Sequence, residues 1–305
     1  MSVVGAIVPS VSNTGKPLLV TDLDNTLWDW VGAWYSSFSA LVDSLVVESG
    51  VEREVLLDEI REVHQRRHTT EYSNLIAELP CLQELVDDPA TLRKRFDASL
   101  HAQNSARKHA TKLYPTVRET LDALKALGWG IAAYTESGAY WTQWRITQTG
   151  LDGVIDVLYS APDHDEEGGV DLASLRYWSD TSAYRLKQTR HTTLPLDVRK
   201  PNVQVLNQIL DDQEVEPGGA IYVGDSLMKD IAMAQHAGVF DIHARYGESH
   251  ERQEYELLRR VTHWSEEDVA NEKRIAAQAE VVPTFILDHS IGQLLDVPRI
   301  AEASR

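Results

Sequence analysis

Apolar residues follow two rhythms along this chain, and the change between them divides it. Residues 18–22, LLVTD, form a short apolar run with Val and Thr that ends on a carboxylate, as a buried strand would. From Trp30 to Lys112 the apolar positions instead recur every three or four residues, through VGAWYSSFSALVDSLVV, VEREVLLDEIREVHQ and PATLRKRFDASLHAQN, and strand signals are nearly absent. Residues 30–112 therefore read as an all-helical insert. After Pro115 helix and strand alternate. TVRETLDALKALG is an amphipathic helix closed by Gly128; a strand follows at 129–135, then a helix ending at Gly150 and a strand at 154–160. Beyond a polar stretch come a helix at 202–211, a strand at 220–225, a helix at 227–237 and a strand at 239–244. A second polar stretch precedes a last strand, TFILD, and a short helix, IGQLLD. This alternation predicts the α/β class, a doubly wound parallel sheet built from residues 1–29 and 113–305, with extra loop insertions near 161–199 and 247–280.

Such sheets bind ligands at the carboxyl ends of their strands, here Asp22, Thr135, Ser160, Asp225 and Ala244. Asp22-Leu23-Asp24-Asn25-Thr26 places two carboxylates and a hydroxyl on one turn after a buried strand. Carboxylates this close resist ionising together without a cation. A divalent metal would keep Asp22 ionised as a nucleophile, leaving Asp24 to protonate a leaving group and then accept a proton from water. Gly224-Asp225-Ser226 ends another strand; glycine admits close approach of a ligand, and Asp225 is a hard oxygen donor suited to Mg²⁺. Thr135 ends a third strand, with Glu136, Ser137 and Gly138 opening a helix whose free amides suit a phosphate. Lys200, before Pro201, offers a point charge to a phosphoryl group and the aspartates, with Arg199 as its alternative. D-x-D-x-T alone arises by chance in about one chain in thirty of this length, at about 5% per specified residue. The ordered set is what carries the signal.

TDLDNTL, Thr135, Lys200-Pro201 and GDSLMKD together resemble the four ordered motifs of the haloacid dehalogenase-like hydrolases. The resemblance spans residues 17–30 and 112–295. It implies a Rossmann-like core, Mg²⁺ as cofactor and an aspartyl-phosphate intermediate on Asp22. It makes Asp24 the acid–base, its main-chain carbonyl also meeting the metal, and Asp225 a metal ligand beside Asp22. Thr135 and Lys200 would hold phosphate, Thr26, Gly224, Ser226 and Asp230 would support, and the insert 30–112 would be a helical cap. Dehalogenases of this family carry no aspartate at the position of Asp24, so its presence favours phosphoryl transfer. The expected activity is hydrolysis of a small phosphorylated metabolite. A phosphomutase or phosphotransferase using the same intermediate is the enzymatic alternative, and a non-catalytic binding protein that kept the fold is the other.

Composition narrows this. Eight Trp, 11 Tyr and an apolar content of 43% describe a folded chain. A formal charge of −18 disfavours nucleic acid as partner and requires local cations to draw in a phosphate. Cys81 is the single cysteine, which excludes an intramolecular disulfide, and no run is long and apolar enough for a membrane span. The N-terminus lacks a basic region before its apolar residues, so a cytoplasmic location is expected. Trp28, Trp30 and Trp34 read first as packing between core and insert, and Trp141 and Trp144 as packing of a helix onto the sheet. Arg66, Arg67 and His68 suit either an anionic substrate tail or a solvated helix end. His64 and His68 share a zinc-like spacing without a third ligand, and Asp163–Glu167 reads as a solvated acidic loop.

Overall fold

The computed structural model describes residues 16–86, 88–163, 185–196, 198–249, 252–264 and 281–301. Residues 164–184 and 265–280, most of the two expected loop insertions, lie outside the described residues, as does all of the acidic run after Asp163. Seven parallel strands form one sheet: β1 (Leu18–Thr21), β2 (Gly130–Gly138), β3 (Val157–Ala161), β4 (Arg190–Thr193), β5 (Ala220–Gly224), β6 (Phe240–His243) and β7 (Phe285–Ile286). Their order is β4-β3-β2-β1-β5-β6-β7. β1 thus lies between β2 and β5, where the chain reverses its direction of travel across the sheet. That reversal opens a crevice at the strand ends.

Alternation along β1 builds both faces. Leu19 packs with Leu121, Ile146 and Leu294 on one side. Leu18 and Val20 pack with Leu206, Ile209 and Met233 on the other. Helices α6 (Val117–Ala126) and α7 (Ala139–Gln148) cover the first face. α8 (Val203–Asp212) and α9 (Ala232–His236) cover the second.

Between β1 and β2 run α1 (Trp30–Ser49), α2 (Arg53–Arg67), α3 (Pro80–Gln83), α4 (Pro89–Arg95) and α5 (Asp97–Ala110). Asp29 caps α1 by accepting from the Gly32 amide, and Gly50 ends it in the left-handed region. These helices bury their own cluster, including Trp34, Phe38, Leu45, Ile60 and Phe96, separate from the two faces of the sheet. Trp34 stacks on Phe38 with ring centroids 4.7 Å apart, so packing describes Trp34 well. Among the described residues no helix is long and apolar enough to cross a membrane.

Two elements depart from the sequence expectation. β4 is a polar edge strand, RHTT, inside what reads as a loop, fastened by the Asp152 carboxylate, which accepts from the amides of Lys187, Gln188 and Thr189. α10 (Gln253–Val261) is a helix inside the second polar stretch, and it packs on α1 and α2 rather than on the sheet. The chain closes with a turn of 3₁₀-helix at Ile291–Asp296 and α11 (Pro298–Ala301).

Candidate active site

β1 ends at Thr21, and the Asp22 amide still donates to Val223 O on β5 at 2.8 Å, which aims the Asp22 side chain into the crevice. Asp22 is 8% exposed. Lys200 reaches it from the loop before α8, its Nζ 2.6 Å from Asp22 Oδ1 and 2.9 Å from Asp230 Oδ1. The lysine rather than Arg199 thus meets the aspartates. Asp230 is no surface carboxylate: it is 2% exposed and also accepts from the Tyr222 hydroxyl and the Ser226 amide.

Asp22, Asp225 and Asp230 each bring a carboxylate oxygen within 4.8 Å of one another. Burial, only partly offset by Lys200 and reinforced by repulsion from Asp230 and Asp24, pushes Asp22 up to about 7. Burial and the neighbouring Asp22 and Asp230 likewise raise Asp225 well above the usual carboxylate range. Burial opposes the charge on Lys200, but the two carboxylates overcome it and hold the ammonium well above its ordinary value. One ammonium against three crowded carboxylates is a site short of positive charge, and its donors are all hard oxygens. That set fits a divalent cation such as Mg²⁺. Asp230 completes this carboxylate cluster, while the side chain of Asp24, whose main-chain carbonyl is the expected metal contact, stands outside it.

Asp24 is held by two hydrogen bonds and an ion pair from three places. The Trp28 indole donates to Oδ1 at 2.6 Å, the Ser137 hydroxyl donates to Oδ2, and Arg145 Nη1 lies 3.8 Å from Oδ1. Arg145 is 3% exposed and also pairs with Glu71 of the helical insert, so a buried guanidinium joins insert to acid. Trp28 consequently does more than pack. Nothing in the pattern of apolar positions singles out Arg145 or Glu71, which lie 74 residues apart.

Several expected contacts are corrected. β2 continues to Gly138, so Glu136, Ser137 and Gly138 extend the strand and α7 begins only at Ala139. The Ser137 amide donates to Thr135 Oγ1 instead of standing free. Glu136 is committed as an acceptor: Oε1 takes the Lys200 amide and Oε2 the Lys229 ammonium, each at 2.9 Å. A carboxylate so placed positions the Lys200 loop. Thr26 is fully buried, its hydroxyl without a partner among the described residues. At Gly224 a Cβ would lie 2.3 Å from the Asp230 carboxyl carbon, so the glycine makes room for Asp230. Ser226 accepts from the Lys229 amide and caps the π-helical turn Leu227–Ile231. Trp141 turns away from the sheet, donating to Glu71 O, with Arg107 4.0 Å over its ring. Arg66 and Arg67 both bind Glu78, and His64 is buried, its Nδ1 2.7 Å from Val261 O.

Asp22, Asp24, Thr135, Lys200 and Asp225 line one cavity of about 170 Å³. A larger cleft of about 480 Å³ lies at the opposite, amino-terminal edge of the sheet, lined by residues such as Pro17, Gly130 and Ile155, and among the described residues has no carboxylate cluster.

Residues 17–238 match the haloacid dehalogenase-like hydrolase family, and the chain belongs to it. It is similar to two phosphoglycolate phosphatases of Vibrio vulnificus. It is 25% identical to that of strain YJ016 over 241 residues, which is 76% of this chain and 85% of the relative. It is 25% identical to that of strain CMCP6 over 288 residues, 92% and 95% of the two chains. Its fold is similar to that of a 2-haloacid dehalogenase from Pseudomonas syringae pv. Tomato DC3000, with a TM-score of 0.50 at 20% identity, covering 95% of this chain and 100% of that one.

Proposed function

We propose that the chain is a Mg²⁺-dependent phosphatase that hydrolyses a small phosphorylated metabolite in the cytoplasm. The observation that carries this reading is Asp24: a carboxylate two residues beyond Asp22, on the wall of the same cavity, held by an indole, a hydroxyl and a guanidinium. Cleaving a phosphate ester needs an acid for the departing alkoxide, and Asp24 is placed to be one. The similarity to phosphoglycolate phosphatases supports the same class of reaction.

In this reading an Asp22 carboxylate oxygen attacks phosphorus in line, forming an aspartyl phosphate and expelling the alkoxide. Asp24 gives that alkoxide a proton, then takes one from the water that attacks the aspartyl phosphate and frees inorganic phosphate. Lys200 and Thr135 hold the phosphoryl oxygens, while Asp230 and Glu136 keep Lys200 in place from either side. Asp22, Asp225 and the Asp24 carbonyl would hold Mg²⁺, which when bound offsets the charge of the aspartates and the phosphoryl group. Residues 30–112 act as a cap that excludes bulk water.

The test is phosphate release from a panel of phosphorylated metabolites, phosphoglycolate among them. Release from at least one, abolished by a chelator and restored by Mg²⁺, is expected. A folded protein that releases phosphate from none would overturn the reading, and a rephosphorylated product in place of free phosphate would identify a mutase.

A further inference from the structure

The cavity has two unlike walls. Its aspartates, Thr135 and Lys200 come from the loops at the strand ends, whereas Trp30, Val31, Tyr255, Leu258 and Trp264 form an apolar and largely aromatic wall. Trp30 and Val31 begin α1. The other three belong to the segment that follows β6, which the parallel core does not need to complete its sheet.

How that segment reaches the cavity is built into the chain. At Gly247 a Cβ would lie 1.7 Å from Asn25 O, so only glycine lets the backbone pass this close to the loop that carries Asp22 and Asp24. Tyr246 donates to Thr26 O at 2.7 Å beside it. Arg252 then grips Asp29, at the entry to α1, through two nitrogens at 2.7 and 3.1 Å. Leu258 and Val261, 4% and 0% exposed, enter the apolar cluster of the insert, and His64 holds the end of the helix at Val261 O. Arg260 pairs with Glu54 and Asp58 on α2. Tyr246, Arg252 and α10 are thereby anchored to the core loop and to the insert, and α10 positions the side chains of Tyr255 and Leu258 at the cavity. The two ammoniums on the cavity wall, Lys200 and Lys229, are both paired with carboxylates, and Lys229 Nζ also lies 5.8 Å from the centroid of the Trp264 ring. Among the described residues, the wall facing the aspartates therefore offers a leaving group apolar contact.

We propose that Tyr255, Leu258 and Trp264 determine specificity by packing on the leaving group, and that the substrates preferred are phosphate monoesters of small alcohols bearing a planar or apolar, uncharged group. The proposal rests on the phosphatase reading above. It adds that selection comes from a segment after β6 together with the start of α1, not from the helical insert alone. A planar group against two aromatic side chains and a leucine gains by burial and by ring contact, whereas a two-carbon ester leaves that wall unfilled.

The test compares benzyl phosphate with ethyl phosphate, whose leaving alkoxides have similar basicity, in wild type, Tyr255→Ala and Trp264→Ala. Wild type is expected to favour the benzyl ester in kcat/KM by about tenfold or more, and each variant to lose most of that preference. Trp264 lies outside the buried cluster, so its variant keeps the test alive if Tyr255→Ala does not fold. Dissociation constants for benzylphosphonate and ethylphosphonate, measured calorimetrically in the same proteins, separate the two claims. Selective binding of benzylphosphonate without turnover of either ester upholds the wall and overturns the phosphatase. Turnover with a benzyl-to-ethyl ratio unchanged within about twofold in the folded variants overturns the wall.

Discussion

The aspartate wall of the cavity and the apolar wall facing it are held in place by opposite means. Around Asp22 the contacts are few, short and charged: Lys200 bridges two buried carboxylates, and a third lies within reach. Removing any partner there leaves a buried charge unmatched. Around α10 the contacts are mostly apolar and spread over many side chains, with ion pairs only at the exposed rim. Each fully buried Leu or Val there contributes about 1.5–3 kcal/mol, and no single one is decisive. The difference teaches a division of labour. A wall that must hold charge for chemistry needs particular groups at particular distances, whereas a wall that only selects a shape can be built by ordinary packing.

The comparison breaks first at Lys200. Lys200→Met should destabilise the protein by about 3–5 kcal/mol in urea unfolding without divalent cations, because Asp22 and Asp230 lose their shared partner. Added Mg²⁺ should recover part of that loss, more than it stabilises the wild type. Equal stability of variant and wild type without metal would show that the aspartate wall is not held by charge.

A second test addresses the apolar wall through acid. His64 is fully buried, and burial lowers it to about 4 from an ordinary 6.5, the hydrogen bond to Val261 O opposing only in part. Since a carbonyl only accepts, Nδ1 carries the proton of the neutral ring, and Nε2 is buried without a partner among the described residues. The folded state thus binds fewer protons than the unfolded one between pH 4 and 6.5. His64 therefore contributes fully to stability above about pH 6.5, and this is lost as pH falls towards 4, by about 3 kcal/mol in all. Unfolding measured across this range should show that slope, and His64→Gln should flatten it. An unaltered slope in the variant would remove His64 from the account.

The smallest effect is at the rim. Arg252→Ala breaks a part-exposed pair with Asp29 and should cost about 1 kcal/mol or less, seen as faster amide exchange in α10 with little change elsewhere. Global unfolding at a much larger cost would mean that the pair, not apolar packing, fastens the segment.

The two walls also differ in how well they can be read from sequence. Asp22 and Asp225 are legible because each follows an apolar strand, and strand ends define the crevice whatever lies between. Lys200 is legible by its motif, although the long stretch before it makes Arg199 an alternative candidate by sequence alone, and the ammonium on Asp22 decides between them. The helix expected to open at Glu136 begins only at Ala139, because β2 runs three residues past Thr135 with a register irregularity against β3 that no local pattern announces. β4 is short, polar and at the edge, so it lacks the apolar run that marks a buried strand. α10 did leave a trace, in Tyr255, Leu258 and Val261 at three-residue spacing. Its partner face, however, lies about two hundred residues earlier, in a region that periodicity alone cannot pair with it. Long-range ion pairs such as Arg145 with Glu71 are beyond local pattern altogether.

The central claim is that Asp22 is the nucleophile of a metal-assisted phosphatase. It is tested most directly by p-nitrophenyl phosphate hydrolysis in Mg²⁺ by wild type and by Asp22→Asn, with folding and Mg²⁺ concentration matched. The account predicts that release of nitrophenol falls by about three orders of magnitude or more in the variant. Turnover by Asp22→Asn equal to that of the wild type would contradict it.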